Sequence, residues 1–140
     1  MRNFCLVIIL ISLLSSCHWQ EAKQVIGLAD SLDQNEHTLF DDTAALQQVI
    51  RTLDNPFGRL FAHNQLGKAH YYMGRHFSLN DQITQAAEHY IAADRAQIDD
   101  PIYRGRINSC LGHISKQNES DSLALIFFIR ANDAFKASGK

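Results

Sequence analysis

The side chains able to do chemistry here are three cysteines, seven histidines, a few paired acids and a set of amide and cationic groups. Their spacing limits what they can do. Cys110 and His113 are three residues apart, so one helix would bring them to a common face. A catalytic thiol also needs a lowered pKa and a base held against it. Nothing else in the sequence supplies these, and Cys110 is expected to be a buried, inert helix residue. His63 and His70 are seven apart, with His76 beyond them. Zinc sites on helices use pairs four apart or the H-E-x-x-H arrangement. Neither is present, so no metal is expected. Asp41-Asp42 and Asp99-Asp100 stand where helices should start, which makes them caps rather than a paired-carboxylate site. The nucleophile-elbow, Walker and dinucleotide-binding patterns are missing. The sequence therefore points to no enzyme and no cofactor.

The segment ahead of residue 17 has a different character. Met1-Arg2-Asn3 carries one positive charge, residues 4–14 are apolar apart from Ser12, and Ser15-Ser16 precede Cys17. A charged start, a short apolar core and small residues before a cut mark a secretory signal peptide. The apolar run is too short for a comfortable membrane span, which takes about 20 residues. Leu14-Ser15-Ser16-Cys17 resembles the bacterial lipobox, an aliphatic residue and two small ones ahead of an acylated cysteine. By that resemblance residues 1–16 are removed and Cys17 becomes the lipidated first residue of the mature chain. Palmitate-type acyl chains would hold it at a membrane, each buried CH₂ contributing about 0.8 kcal/mol. His18 follows the cysteine where an aspartate would signal inner-membrane retention, so the outer membrane is favoured. With Cys17 acylated and Cys5 in the leader, Cys110 is left as a lone thiol, which excludes an internal disulfide framework.

The mature part is expected to be all-α. Apolar residues recur at helical spacing over 19–34, 43–53, 55–77, 81–98, 101–114 and 122–137. Asp41, Asp42 and Thr43 offer cap chemistry ahead of the second segment. Asn55-Pro56 and Asp100-Pro101 each read as a cap followed by proline at the first helical position. Ser78-Leu79-Asn80 and the polar stretch 115–121 read as breaks. No segment alternates with a period of two over a convincing length.

Two stretches share a pattern. Leu66-Gly67 is followed by Ala86-x3-Tyr90-x2-Ala93, and Leu111-Gly112 by Ala124-x3-Phe128-x2-Ala131. Glycine and alanine let antiparallel helices approach closely, and the aromatic fills the gap between them. The pattern resembles the tetratricopeptide repeat. Gly112 precedes Ala124 by twelve residues, the family's spacing, whereas Gly67 precedes Ala86 by nineteen. The first copy is therefore expected to carry about seven extra residues near 77–82. The resemblance covers about 57–138. It departs from the family at His63 and Asn108, where tryptophan is common, and at His70 and Ser115, where tyrosine is common. It implies antiparallel helix pairs stacked as a short solenoid. Residues 17–54 would hold the lipidated N-terminus and a divergent helical pair, and 55–140 two repeats. Together with the lipobox, the arrangement looks like the tetratricopeptide lipoproteins of Gram-negative bacteria.

In this family the first helix of each repeat lines a groove that grips peptides. Carried over by position, the groove would hold Phe61, Asn64, Lys68 and Tyr71 from one repeat, and Arg106, Ser109, His113 and Lys116 from the next. Asn64, Lys68 and Arg106 would receive a carboxylate, since amide and cationic donors suit an acidic peptide. The implied function is a membrane-anchored scaffold that binds a protein or peptide at the cell envelope. The alternative is the N-terminal sensory fragment of a longer signalling protein, or a truncated orphan, because Gly139-Lys140 falls close to where another repeat would begin. Phe127, Phe128, Ile129 and Phe135 spread around the last helix, and stacked repeats need a polar end. One apolar side is thus expected to stay open, as the truncated end of a longer array or as a surface for self-association or a partner. The formal net charge is −2 without a dominant basic patch, so nucleic acid is not an expected partner.

Overall fold

The computed structural model describes residues 42–139; the expected leader over 1–16, Cys17 and the helix expected over 19–34 lie outside them. Within that range the chain is all-helical. The helices are α1 (Thr43–Leu53), α2 (Pro56–Phe61), α3 (His63–Leu79), α4 (Ile83–Arg95), α5 (Pro101–Gln117) and α6 (Asp121–Ala137). Three of them start on caps that the sequence carries. The side chain of Asp42 accepts the Ala45 N–H at 3.0 Å, that of Asn55 the Gly58 N–H at 2.9 Å, and that of Asp100 the Ile102 N–H at 2.7 Å. Such a cap contributes about 1 kcal/mol. Pro56 and Pro101 follow at the first helical position, where the missing N–H has no intrahelical partner to lose.

The segment expected as one helix over 55–77 is two. It breaks at Ala62, whose φ is −133° and ψ 30°, and α3 then runs on to Leu79. Phe61, Ala62 and His63 at the break include no helix breaker. A Cβ on Gly58 would run into the backbone carbonyl of Leu53. α2 thus lies close against the end of α1, the buried Ala62 sits where the chain turns into α3, and α3 packs along α1.

From there the helices pack in sequence, α3 on α4, α4 on α5 and α5 on α6. The core runs through them without interruption. Leu46, Val49 and Leu53 of α1 meet Leu66, Ala69 and Met73 of α3, and Ile107, Leu111 and Ile114 continue it on α5. The other expected boundaries shift by a few residues. α4 stops at Arg95 rather than near 98, and α5 extends to Gln117, which shortens the turn before α6.

The pairs α3–α4 and α5–α6 are internal copies. α3 starts at 63 and α5 at 101, thirty-eight residues later, and their ends at Leu79 and Gln117 keep that offset. The turns repeat as well. Asp81 and Glu119 take left-handed φ values of 58° and 57°. Gln82 N–H donates to Phe77 O, and Ser120 N–H to Ser115 O, both at 2.9 Å. In each copy a glycine lies under an aromatic ring of the second helix. A Cβ on Gly74 would stand 2.8 Å from Tyr90, and one on Gly112 would stand 2.6 Å from Phe128.

This corrects the register read from the sequence. Gly74, not Gly67, is the counterpart of Gly112, and it precedes Ala86 by the same twelve residues. There is no seven-residue insertion. Gly67 has its own counterpart in Gly105; the first lies under Ile98 and the second under Phe135.

Candidate peptide-binding face

Helical spacing sets Lys68, Tyr71, Tyr72 and Arg75 along one side of α3, and Tyr103 and Arg106 along the facing side of α5. Tyr71 packs edge-on to Tyr103, centroids 5.5 Å apart, and the hydroxyls of Tyr72 and Tyr103 meet at 2.8 Å. These rings are buried and tie the two helices together. Three cations stand over them. Lys68 Nζ is 5.0 Å from the centre of the Tyr103 ring, and Arg106 Cζ is 5.7 Å from the same centre. Arg75 Cζ is 5.9 Å from the centre of Tyr71. Each contact has the geometry of a cation–π interaction, worth about 0.5–1 kcal/mol at an exposed site. Lys68 and Arg106 are thirty-eight residues apart, hence equivalent positions of the two copies. Arg106 reaches a ring one turn back on its own helix, and Lys68 reaches the same ring from across.

The other residues expected in the groove are placed differently. Asn64 Nδ2 donates to Asp99 Oδ2 at 2.8 Å, and Asn64 Oδ1 accepts the Asp99 N–H at 2.7 Å. His63 Nε2 lies 3.2 Å from the same carboxylate oxygen. The hydrogen bond from Asn64, and then that from His63, hold the Asp99 carboxyl below its ordinary value. Both ends of the Asn64 amide thus bridge the start of α3 to the turn before α5. Tyr71 is buried and supports the face rather than lining it. Phe61 is 65% exposed at the end of α2, and Ser109 is half-buried. His113 and Lys116 are exposed, and the His113 ring stands edge-on to Phe128 with centroids 5.2 Å apart.

Cys110 of α5 is partly buried. Its thiol hydrogen-bonds with Tyr90, and burial pushes it up despite that bond. Burial pushes the Tyr90 hydroxyl up as well. Both groups are therefore neutral at pH 7, and the thiol lacks the thiolate character of a nucleophile. Of the expected set, only Lys68 and Arg106 converge. Arg75 and Tyr103 were not singled out in the sequence, though Arg75 is two turns beyond Lys68 and Tyr103 one turn before Arg106.

A second concave region lies between α2, the start of α3 and the end of α4. It has a volume of about 560 Å³, with Asp54, Arg59, His63, His70, Arg95 and Asp99 among its walls. Arg59 is already paired with Asp54 at 2.6 Å, and the remaining charges are of mixed sign, so the cleft favours no class of ion. His70 at its edge faces His89 of α4, Nδ1 to Nδ1, at 2.9 Å. Among the described residues no group of three or more His, Cys, Asp or Glu side chains is placed to hold a metal ion. Among them, too, no helix is long and apolar enough to cross a membrane. Compared with protein-family models, curated proteins and solved structures, the chain matches none.

Proposed function

We propose that this chain is a lipid-anchored scaffold of tetratricopeptide type, whose α3/α5 face holds an acidic segment of a partner protein at the cell envelope. The observation that carries the reading is the convergence of Lys68 and Arg106 on Tyr103. A carboxylate laid there meets two charge-assisted donors from two different helices. The buried Tyr103 ring lies beneath both cations. Equivalent positions of successive copies supply the two cations, so an extended peptide crossing the helices would meet one from each.

The repeat reading gains support from the corrected register. Met73-Gly74 takes the place of the family's Leu-Gly pair, and Phe77 takes its tyrosine position. Ala86, Tyr90 and Ala93 keep the pattern of the second helix. The copies are thirty-eight residues apart, against the usual 34 of the family; α3 and α5 are correspondingly long. The anchor rests on Leu14-Ser15-Ser16-Cys17 alone. Labelled palmitate should enter the wild type and not Cys17→Ser.

The test of binding is crosslinking capture from envelope membranes. Wild type is compared with Lys68→Ala/Arg106→Ala, after circular dichroism shows equal helicity. The reading expects a partner captured by wild type and lost from the double variant. The same partner captured equally by both would sink it.

A further inference from the structure

Ile129 of α6 is exposed as its α4 counterpart Ile91 is, but at two other positions of the thirty-eight-residue repeat α6 is exposed where α4 is partly covered. On α4, Asp94 accepts a hydrogen bond from Asn108 of α5 at 3.4 Å, and Ala87 packs against the core. The α6 counterparts are Asn132 and Leu125, and both are exposed. Leu125 is 60% and Ile129 52% exposed, with Ile126 beside them at 48%. Three such side chains in a row form a contiguous apolar patch, unlike apolar residues scattered singly over a surface.

Charge gives the patch a direction. Asp121, Leu125, Ile129 and Lys136 follow one another at intervals of four, four and seven, which sets them on a single stripe of the helix. Asp121 and Lys136 are exposed, and neither is in an ion pair among the described residues. Opposite charges at the two ends suit the dipole of any helix. Here they also bracket the apolar stripe, so they act on whatever covers it.

We propose that a second copy of this chain covers the stripe. α6 packs antiparallel on its counterpart about a two-fold axis that passes between Phe128 and Ile129. Antiparallel packing sets Asp121 beside Lys136 of the partner subunit at both ends and brings the two Ile129 side chains together near the axis. Parallel packing would set like charge on like charge at each end. A two-fold contact needs a self-complementary surface, and an acid-apolar-base stripe is self-complementary in the antiparallel sense only. α6 has 17 residues and is therefore about 25 Å long. One helix pair covers less than the roughly 800 Å² per partner of a standard interface, so the dimer dissociates in the micromolar range or above, on the order of the affinities of small contacts.

The test uses the full chain in its membrane, with Cys110→Ser and a single new cysteine on α6; the same chain without that cysteine gives the background. Under mild oxidant Ile129→Cys forms a disulfide-linked dimer. Asp121→Cys links to a co-expressed Lys136→Cys chain and not to itself. Asp121→Lys lowers the Ile129→Cys yield several-fold, and adding Lys136→Asp restores it. The α6 positions are exposed, so circular dichroism should not change between the Cys110→Ser background and its α6 variants. No linkage through Ile129→Cys, self-linkage of Asp121→Cys, or a yield indifferent to Asp121→Lys would each overturn the proposal.

Discussion

Lowering the pH from 7 to 5 should loosen α3 from α4. The two Nδ1 atoms of His70 and His89 are 2.9 Å apart, so the pair holds together only while at least one of them is unprotonated. Burial, and after it the His89 charge, lowers His70 from 6.5 to about 4; Asp54 opposes the shift and Arg59 adds to it. Burial lowers His89 too, against the pull of Glu88, and Phe77 stacks on its ring at 5.3 Å. Because the folded pKa lies below the unfolded one, the unfolded chain binds more protons between pH 6.5 and 4. The stabilisation is complete above about pH 6.5, declines as the pH falls, and is gone near pH 4. The full shift corresponds to about 3 kcal/mol. Part of His70 faces the open cleft, and solvent screening reduces the expected loss to about 1–2 kcal/mol, most of it between pH 6.5 and 5. Urea unfolding followed by circular dichroism at pH 7, 6 and 5 measures it. The wild-type midpoint should fall with pH, and that of His70→Gln should fall much less, with His89 supplying the remaining slope. Equal slopes in the two proteins, or a His70 ring that titrates near 6.5 by NMR, would show that the pair does not link α3 to α4 in this way.

Other consequences follow from the packing. Gly74→Ala and Gly112→Ala each gain about 1 kcal/mol of helix propensity but press a methyl group into Tyr90 or Phe128, at a cost of about 1–3 kcal/mol. Both should lower Tm by a few degrees, and a rise in either would contradict the close approach. Asn64→Ala should lower stability by about 1 kcal/mol and raise the Asp99 carboxyl, read by carbon NMR titration. It should leave partner capture intact, since the amide serves the Asp99 bridge; loss of capture would return Asn64 to the binding set. Cys110 should react slowly with a thiol reagent at pH 7 and quickly in urea. Fast reaction of the folded protein would contradict its burial.

The helix count after residue 42 was nearly legible because starts are local. Asn55-Pro56 and Asp100-Pro101 carry their caps within four residues, and each forms as read. The break at Ala62 was not legible, because none of Phe61, Ala62 and His63 is a helix breaker. The repeat register failed for a related reason. α3 holds two glycines seven residues apart, and both lie beneath side chains that follow from α4 or the turn after it. Leu66-Gly67 looks more like the family's pair than Met73-Gly74 does, and only the turn geometry at Asp81 and Glu119 settles which glycine corresponds. Asn64 and Lys68 share a helix face as their spacing requires. The spacing could not reveal that Asp99, thirty-five residues on, takes up both ends of the amide. Lys68 and Arg106 were legible as a pair, whereas the ring between them was not.

Lys68 and Arg106 are proposed to act together on one acidic ligand. The most direct measurement is a double-mutant cycle, in which the captured partner's acidic segment, made as a peptide, is titrated into wild type, Lys68→Ala, Arg106→Ala and the double variant by calorimetry. Each single variant should weaken binding several-fold, the double variant should lose less than the product of the two, and affinity should fall with added salt. A double variant that binds as tightly as wild type, or affinity indifferent to salt, would contradict the claim.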